Sequence, residues 1–127
     1  MLTIVNMYSL PQEIEVWYII PAIRKELARQ LTTEHGLSYE KAGKLLGISK
    51  AAVSQYISNK RANNIKISED VKVEVSKSVK IILEDSKKTI GEIQRLLKYM
   101  KDNNSSCEVC KKYNKGVLAY CNAEHNY

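Results

Sequence analysis

The chain has 127 residues and a formal net charge of +6, from 20 Lys and Arg against 14 Asp and Glu. That length allows one domain with a real core, or a small domain carrying an appendage. No apolar run is long enough to cross a bilayer, and the first residues show neither a charged leader nor a cleavage pattern. The expected setting is therefore the cytoplasm, away from membranes.

Residues 1–10 read as a short extended arm. Pro11 opens a helix through Tyr18, with Glu13 and Glu15 near its start, where the helix dipole favours acids. Pro21 predicts a kink or a fresh helix start. The following helix, Ala22 to Glu34, places Ile23, Leu27 and Leu31 on one face and ends at His35-Gly36, with His35 as a C-terminal cap. Trp17 is expected to be a core or interface anchor.

Ser38 is placed to cap a helix running from Tyr39 to Leu46, Gly47 to make the turn, and Ile48 to plug the space beneath it. Ser49 caps the next helix, whose inward residues are Ala52, Val53, Tyr56 and Ile57. Its other face carries Lys50, Ala51, Ser54, Gln55 and Ser58, small or polar side chains suited to base edges. Asn59, Lys60 and Arg61 close the stretch. Between Lys41 and Ser68 there are six basic residues and no acidic one, so the whole charge excess falls on this segment. A basic run that coincides with a candidate recognition helix points to nucleic acid.

The residues Ala42-Gly43, Leu46, Gly47, Ile48, Val53 and Asn59-Lys60-Arg61 resemble the Cro/repressor-type (XRE-like) helix-turn-helix family. Gly43 departs from it, since alanine is commoner there. The resemblance implies an all-α protein that binds double-stranded DNA as a homodimer. The DNA-facing set it implies is Ser38, Ser49, Lys50, Ala51, Ser54, Gln55, Ser58, Asn59, Lys60 and Arg61.

Residues 62–67 read as a linker or a short strand. Ser68 is expected to cap a long helix with Val71, Val75, Val79, Ile82 and Leu83 as its stripe and a break near Asp85-Ser86. Ile90, Ile93, Leu97 and Met100 then follow three-four spacing. The organisation expected is a DNA-binding domain over 1–67, a helical dimerisation region over 68–102 and a cofactor-binding tail over 103–127.

All three cysteines, Cys107, Cys110 and Cys121, lie in that tail. An odd number with Cys-x2-Cys spacing points to ligands rather than disulfides. Three thiolates can hold a three-iron cluster, or a four-iron cluster with one open corner. Cys121-x3-His125 would instead complete a Cys3His zinc site, and Cys107-x2-Cys110 alone could work as a thiol switch. The layout resembles archaeal helix-turn-helix regulators with a cysteine-bearing tail, which implies the iron-sulfur cluster. No nucleophile elbow, phosphate loop or acid-base pair is present in the sequence, so a regulator is expected rather than an enzyme; a nucleic-acid-binding accessory protein is the competing reading.

Overall fold

The computed structural model describes residues 10–62 and 65–103, and every regular element among them is helical. Among these residues no helix is long and apolar enough to cross a membrane. The elements are α1 (Pro11–Ile14), α2 (Ile20–Arg29), α3 (Tyr39–Leu46), α4 (Lys50–Ile57), α5 (Glu69–Glu84) and α6 (Thr89–Asp102). Wide, π-type turns at Glu15–Ile19 and Gln30–Glu34 extend both ends of α2.

Pro21 lies in the first turn of α2, directly after the wide turn, and the residues flanking that turn keep right-handed helical dihedrals, so the rod runs on through it. A wide turn holds one extra residue per turn, and such turns accommodate backbone groups that proline leaves unpaired. Ile20 N–H accordingly bonds to the Glu15 carbonyl, five residues back. The insertion also shifts the apolar register. Ile14 and Ile19, five apart, are both buried and line up with Ile23, Leu27 and Leu31. Trp17 is rotated outward and is 40% exposed, so it is not a core residue.

One apolar cluster joins all the described helices except for the edges of the molecule. Ile23, Leu27 and Leu31 of the first rod meet Ala42, Leu46 and Val53 on one side, and Val71, Val75, Val79, Ile82, Leu96 and Met100 on the other. The α5 stripe expected to serve a dimer is thus buried inside the chain, which completes the core of the three preceding helices. Two residues depart from the sequence reading. Leu83 is 39% exposed and Ile90 75% exposed, while Leu96 is fully buried. The inner line of α6 is Thr89, Ile93, Leu96 and Met100; it keeps Ile93 and Met100 of the expected seam, puts Thr89 in place of Ile90, and buries Leu96 with Leu97 packed beside it.

Polar bonds fix how the α5–α6 hairpin sits. Buried Gln30 donates to the Lys72 carbonyl at 3.2 Å and accepts from the Ser76 hydroxyl at 2.8 Å, tying α2's end to α5. Thr89 Oγ1 donates to the Leu45 carbonyl at 2.8 Å, tying the start of α6 to the last turn of α3. Between α5 and α6, Arg95 bonds Glu74 at 2.7 Å and Glu92 at 3.0 Å, and the Ser78 hydroxyl donates to Glu92 at 2.6 Å. Asp85 breaks the chain between α5 and α6, its carboxylate accepting from Lys87 N–H at 3.0 Å. Ser68 occupies the cap position of α5 but makes no side-chain capping bond there.

These networks hold three carboxyls below their ordinary range. Burial alone would raise Glu26, but bonds from Arg29 and Gln30 outweigh it. Burial likewise raises Glu92, and bonds from Ser78 and Arg95 overcome that rise. Arg95 and Lys77 lower Glu74. A depressed carboxyl binds its proton more readily in the unfolded chain. Its stabilisation is therefore complete above the ordinary carboxylate pKa and is lost as pH falls through the folded value. Thermal unfolding followed by circular dichroism should give a midpoint that these groups leave flat above about pH 5 and that drops below about pH 4. Glu26→Gln with Glu74→Gln and Glu92→Gln should be less stable at neutral pH and show a shallower fall in acid.

Candidate nucleic-acid interface

Helices α3 and α4 are set by their caps and by one close contact. Ser38 and Ser49, both in extended backbone, accept from Lys41 N–H at 3.1 Å and Ala52 N–H at 3.0 Å. Such caps satisfy donors that a helix start leaves unpaired. Gly47 ends α3 with φ 73°, the left-handed conformation that glycine adopts without strain. Ile48 N–H then bonds back to the Gly43 carbonyl at 2.9 Å. A Cβ on Gly43 would lie 2.6 Å from the Ile48 carbonyl oxygen. Glycine at 43 is therefore a steric requirement of this close approach.

With Ala52, Val53 and Tyr56 buried, α4 turns Lys50, Ala51, Ser54, Gln55 and Ser58 to the surface. All ten residues in the expected DNA-facing set, from Ser38 to Arg61, are exposed. They are not equally free. The Ser38 and Ser49 oxygens already accept backbone bonds, so their hydroxyls remain as donors. The Ser58 hydroxyl donates to the Gln55 carbonyl at 3.3 Å. The Arg61 guanidinium lies 5.5 Å from the centre of the Tyr56 ring, a cation-π distance that folds it back over the end of α4.

Asn59 stops the helix. Its φ is 62°; its N–H bonds the Tyr56 carbonyl at 3.2 Å, and Lys60 N–H bonds the Gln55 carbonyl at 2.9 Å. That pair of bonds, around an asparagine in the left-handed region, is a Schellman stop. The Asn59 side-chain oxygen accepts from Lys25 Nζ at 2.6 Å. Lys25 comes from α2, 34 residues earlier, and sequence reasoning missed it because no local pattern marks a contact at that separation.

The face is basic. Of Lys41, Lys44, Lys50, Lys60 and Arg61, the described residues pair only Lys44 with a carboxylate, at 3.8 Å from Glu40 and with both groups mostly in solvent. Such a pair holds little energy and leaves the surrounding potential positive. His35 ends the first rod through its backbone N–H on the Gln30 carbonyl at 3.2 Å, and its side chain is exposed. Cys107, Cys110, Cys121 and His125 lie outside the described residues. Among the described residues, no group of three or more His, Cys, Asp or Glu is placed to hold a metal ion.

No family model matches the chain, and no curated protein or solved structure matches it either.

Gly43→Ala gains about 1 kcal/mol of intrinsic helix preference. It also drives a methyl into backbone, a kind of overpacking that costs about 1–3 kcal/mol, so the expected outcome is a net loss of up to about 2 kcal/mol in urea unfolding. Gly91→Ala, in α6 with nothing within 4 Å of the added carbon, should gain up to about 1 kcal/mol. Equal shifts in the two variants would show that the α3–α4 contact is not tight.

Proposed function

We propose that the chain is a cytoplasmic, sequence-specific DNA-binding transcriptional regulator rather than an enzyme, with α3 and α4 working as a helix-turn-helix. The observation that carries this is the exposed face of α4. Small and amide side chains stand in the middle of it, and uncompensated lysines and an arginine stand around it. Such a helix fits the major groove, with Gln55 pairing an adenine through both amide groups and Ala51 against a thymine methyl. Lys50, Lys60 and Arg61 then hold phosphates, while the Ser38 and Ser49 hydroxyls can donate to the DNA backbone. The competing reading, an RNA-binding accessory protein, is disfavoured because no exposed aromatic lies on α4 for unpaired bases to stack upon.

Regulators of this kind read two half-sites as symmetric dimers. We propose the same here. Since Val71, Val75 and Val79 are spent inside the chain, the hairpin has Val73, Leu83 and Ile90 left for a second copy. The sensor role rests on the sequence of the tail alone. Thiolates at Cys107, Cys110 and Cys121 would hold an iron-sulfur cluster whose gain or loss changes DNA affinity.

Selection from a random double-stranded pool should return a preferred site. Gln55→Ala should then cost about 1–3 kcal/mol and relax one base pair. Arg61→Ala should weaken all sequences alike and flatten the salt dependence. If Gln55→Ala keeps full preference, α4 does not lie in the groove as described. Anaerobic protein should be brown, with the colour lost on Cys107→Ser, Cys110→Ser or Cys121→Ser and kept in His125→Ala. A colourless protein with one zinc per chain, released by His125→Ala, would replace the cluster with a zinc knuckle.

A further inference from the structure

A hollow of about 450 Å³ lies where α2, residues 65–67 and the first turn of α5 meet. Its walls include Ala22, Ile65 and Ile67, and three lysines, Lys25, Lys66 and Lys72, surround it. Two carboxylates also line it, but both are engaged. Glu26 accepts from Arg29 at 3.1 Å and from Gln30 at 2.9 Å, and Glu69 pairs with Lys72 at 3.2 Å. Lys25 donates only to the neutral Asn59 amide, and Lys66 forms no ion pair among the described residues. Among the described residues, the hollow therefore presents two ammonium groups without a carboxylate partner beside an apolar wall.

We propose that this hollow binds a small organic phosphate monoester, with the phosphate on Lys25 and Lys66 and the organic part on Ala22, Ile65 and Ile67. Two features choose the class. A phosphate monoester carries close to two negative charges at neutral pH, which matches two lysines, whereas a carboxylate supplies one. Lysine is a compact point charge with three rotatable donors, suited to phosphate oxygens. The volume lies within the range of small-molecule sites and exceeds what a bare phosphate fills, so an organic body has room.

The position gives occupancy a consequence. Lys25 is the only side chain from outside α4 that is bonded to Asn59, among the described residues. Drawing Lys25 Nζ onto a phosphate releases the Asn59 side chain at the stop from which Lys60 and Arg61 follow. A bound dianion also lowers the positive potential beside that exit. Occupancy thus weakens DNA binding; this step, unlike the pocket itself, rests on the proposed function.

The test uses the full-length protein and phenyl phosphate, titrated by calorimetry and by amide NMR at low salt. Expected is a single site, with the largest shifts at residues 65–67 and a smaller set at Ser58, Asn59 and Lys60. Benzoate, with one charge, and sulfate, with no apolar body, should bind at least about tenfold more weakly. Lys66→Gln and Lys25→Gln should each weaken phenyl phosphate by about tenfold, given what a bond to a charged group is worth. Lys80→Gln, an exposed lysine of α5 outside the hollow, should leave it unchanged. Saturating phenyl phosphate should weaken binding to the selected DNA site, and Lys25→Gln should abolish that response. Absence of binding to wild type, or binding that Lys66→Gln and Lys25→Gln leave intact, overturns the proposal. Should phenyl phosphate fail to bind while the double variant flattens the salt dependence of DNA affinity, the two lysines grip DNA phosphates and no small-molecule site exists. Should phenyl phosphate bind through both lysines while no DNA sequence is preferred, the pocket stands and the DNA-binding reading falls.

Discussion

The approach of the turn between α3 and α4 to Gly43 is the contact on which the surface described above depends. The Ile48 carbonyl occupies the space a side chain would take, and the Gly43 carbonyl in turn accepts Ile48 N–H at 2.9 Å. Contact and bond together leave little freedom in the angle between the two helices. Interiors at crystal-like density transmit such a constraint outward. Once the angle is fixed, burying Ala52, Val53 and Tyr56 leaves Lys50, Ala51, Ser54 and Gln55 no orientation except the surface.

The hairpin of α5 and α6 holds this pair from behind. Three of its bonds reach into the first half of the chain: two between α5 and Gln30, and one from Thr89 to the end of α3. Gln30 is 2% exposed and is satisfied on both sides of its amide. A buried amide with full partners adds orientation to a core that apolar contacts alone would leave free to slide. The two halves expected from the sequence as separate regions are therefore coupled at both ends of the hairpin. The start of α5, beside the hollow, packs on α2, which also packs against α4.

Much of this was legible because it is local. Ser38, Gly47 and Ser49 act within four residues of themselves, so caps and turn follow from residue chemistry alone. The inward set of α4 follows from 3.6 periodicity. Trp17, expected as a core or interface anchor, is kept out of the core because the wide turn before Pro21 adds a residue and buries Ile19. Periodicity failed in α6, where Ile90 looked as apolar as Leu96 and only the approach of α5 decides which one is covered. Lys25 could not be found at all. Its partner lies 34 residues away, and nothing near Lys25 in sequence distinguishes it from Lys72 or Lys80.

The exit of α4 shows why the charged and the reading groups of the proposed interface are separable. Asn59 spends its backbone on the helix stop and its side-chain oxygen on Lys25. Ser58 turns its hydroxyl back on Gln55, and Arg61 lies over Tyr56. What remains with a free planar donor-acceptor pair on this helix face is Gln55. On the proposed reading, base discrimination then concentrates on one amide and a few methyl contacts, while affinity comes from lysines spread over α3, α4 and their exit. Phosphate contacts are additive and depend on salt, whereas a single bidentate amide is neither. A ligand that acts through Lys25 therefore touches the affinity side of this division. It can weaken binding broadly without changing which sequence is preferred.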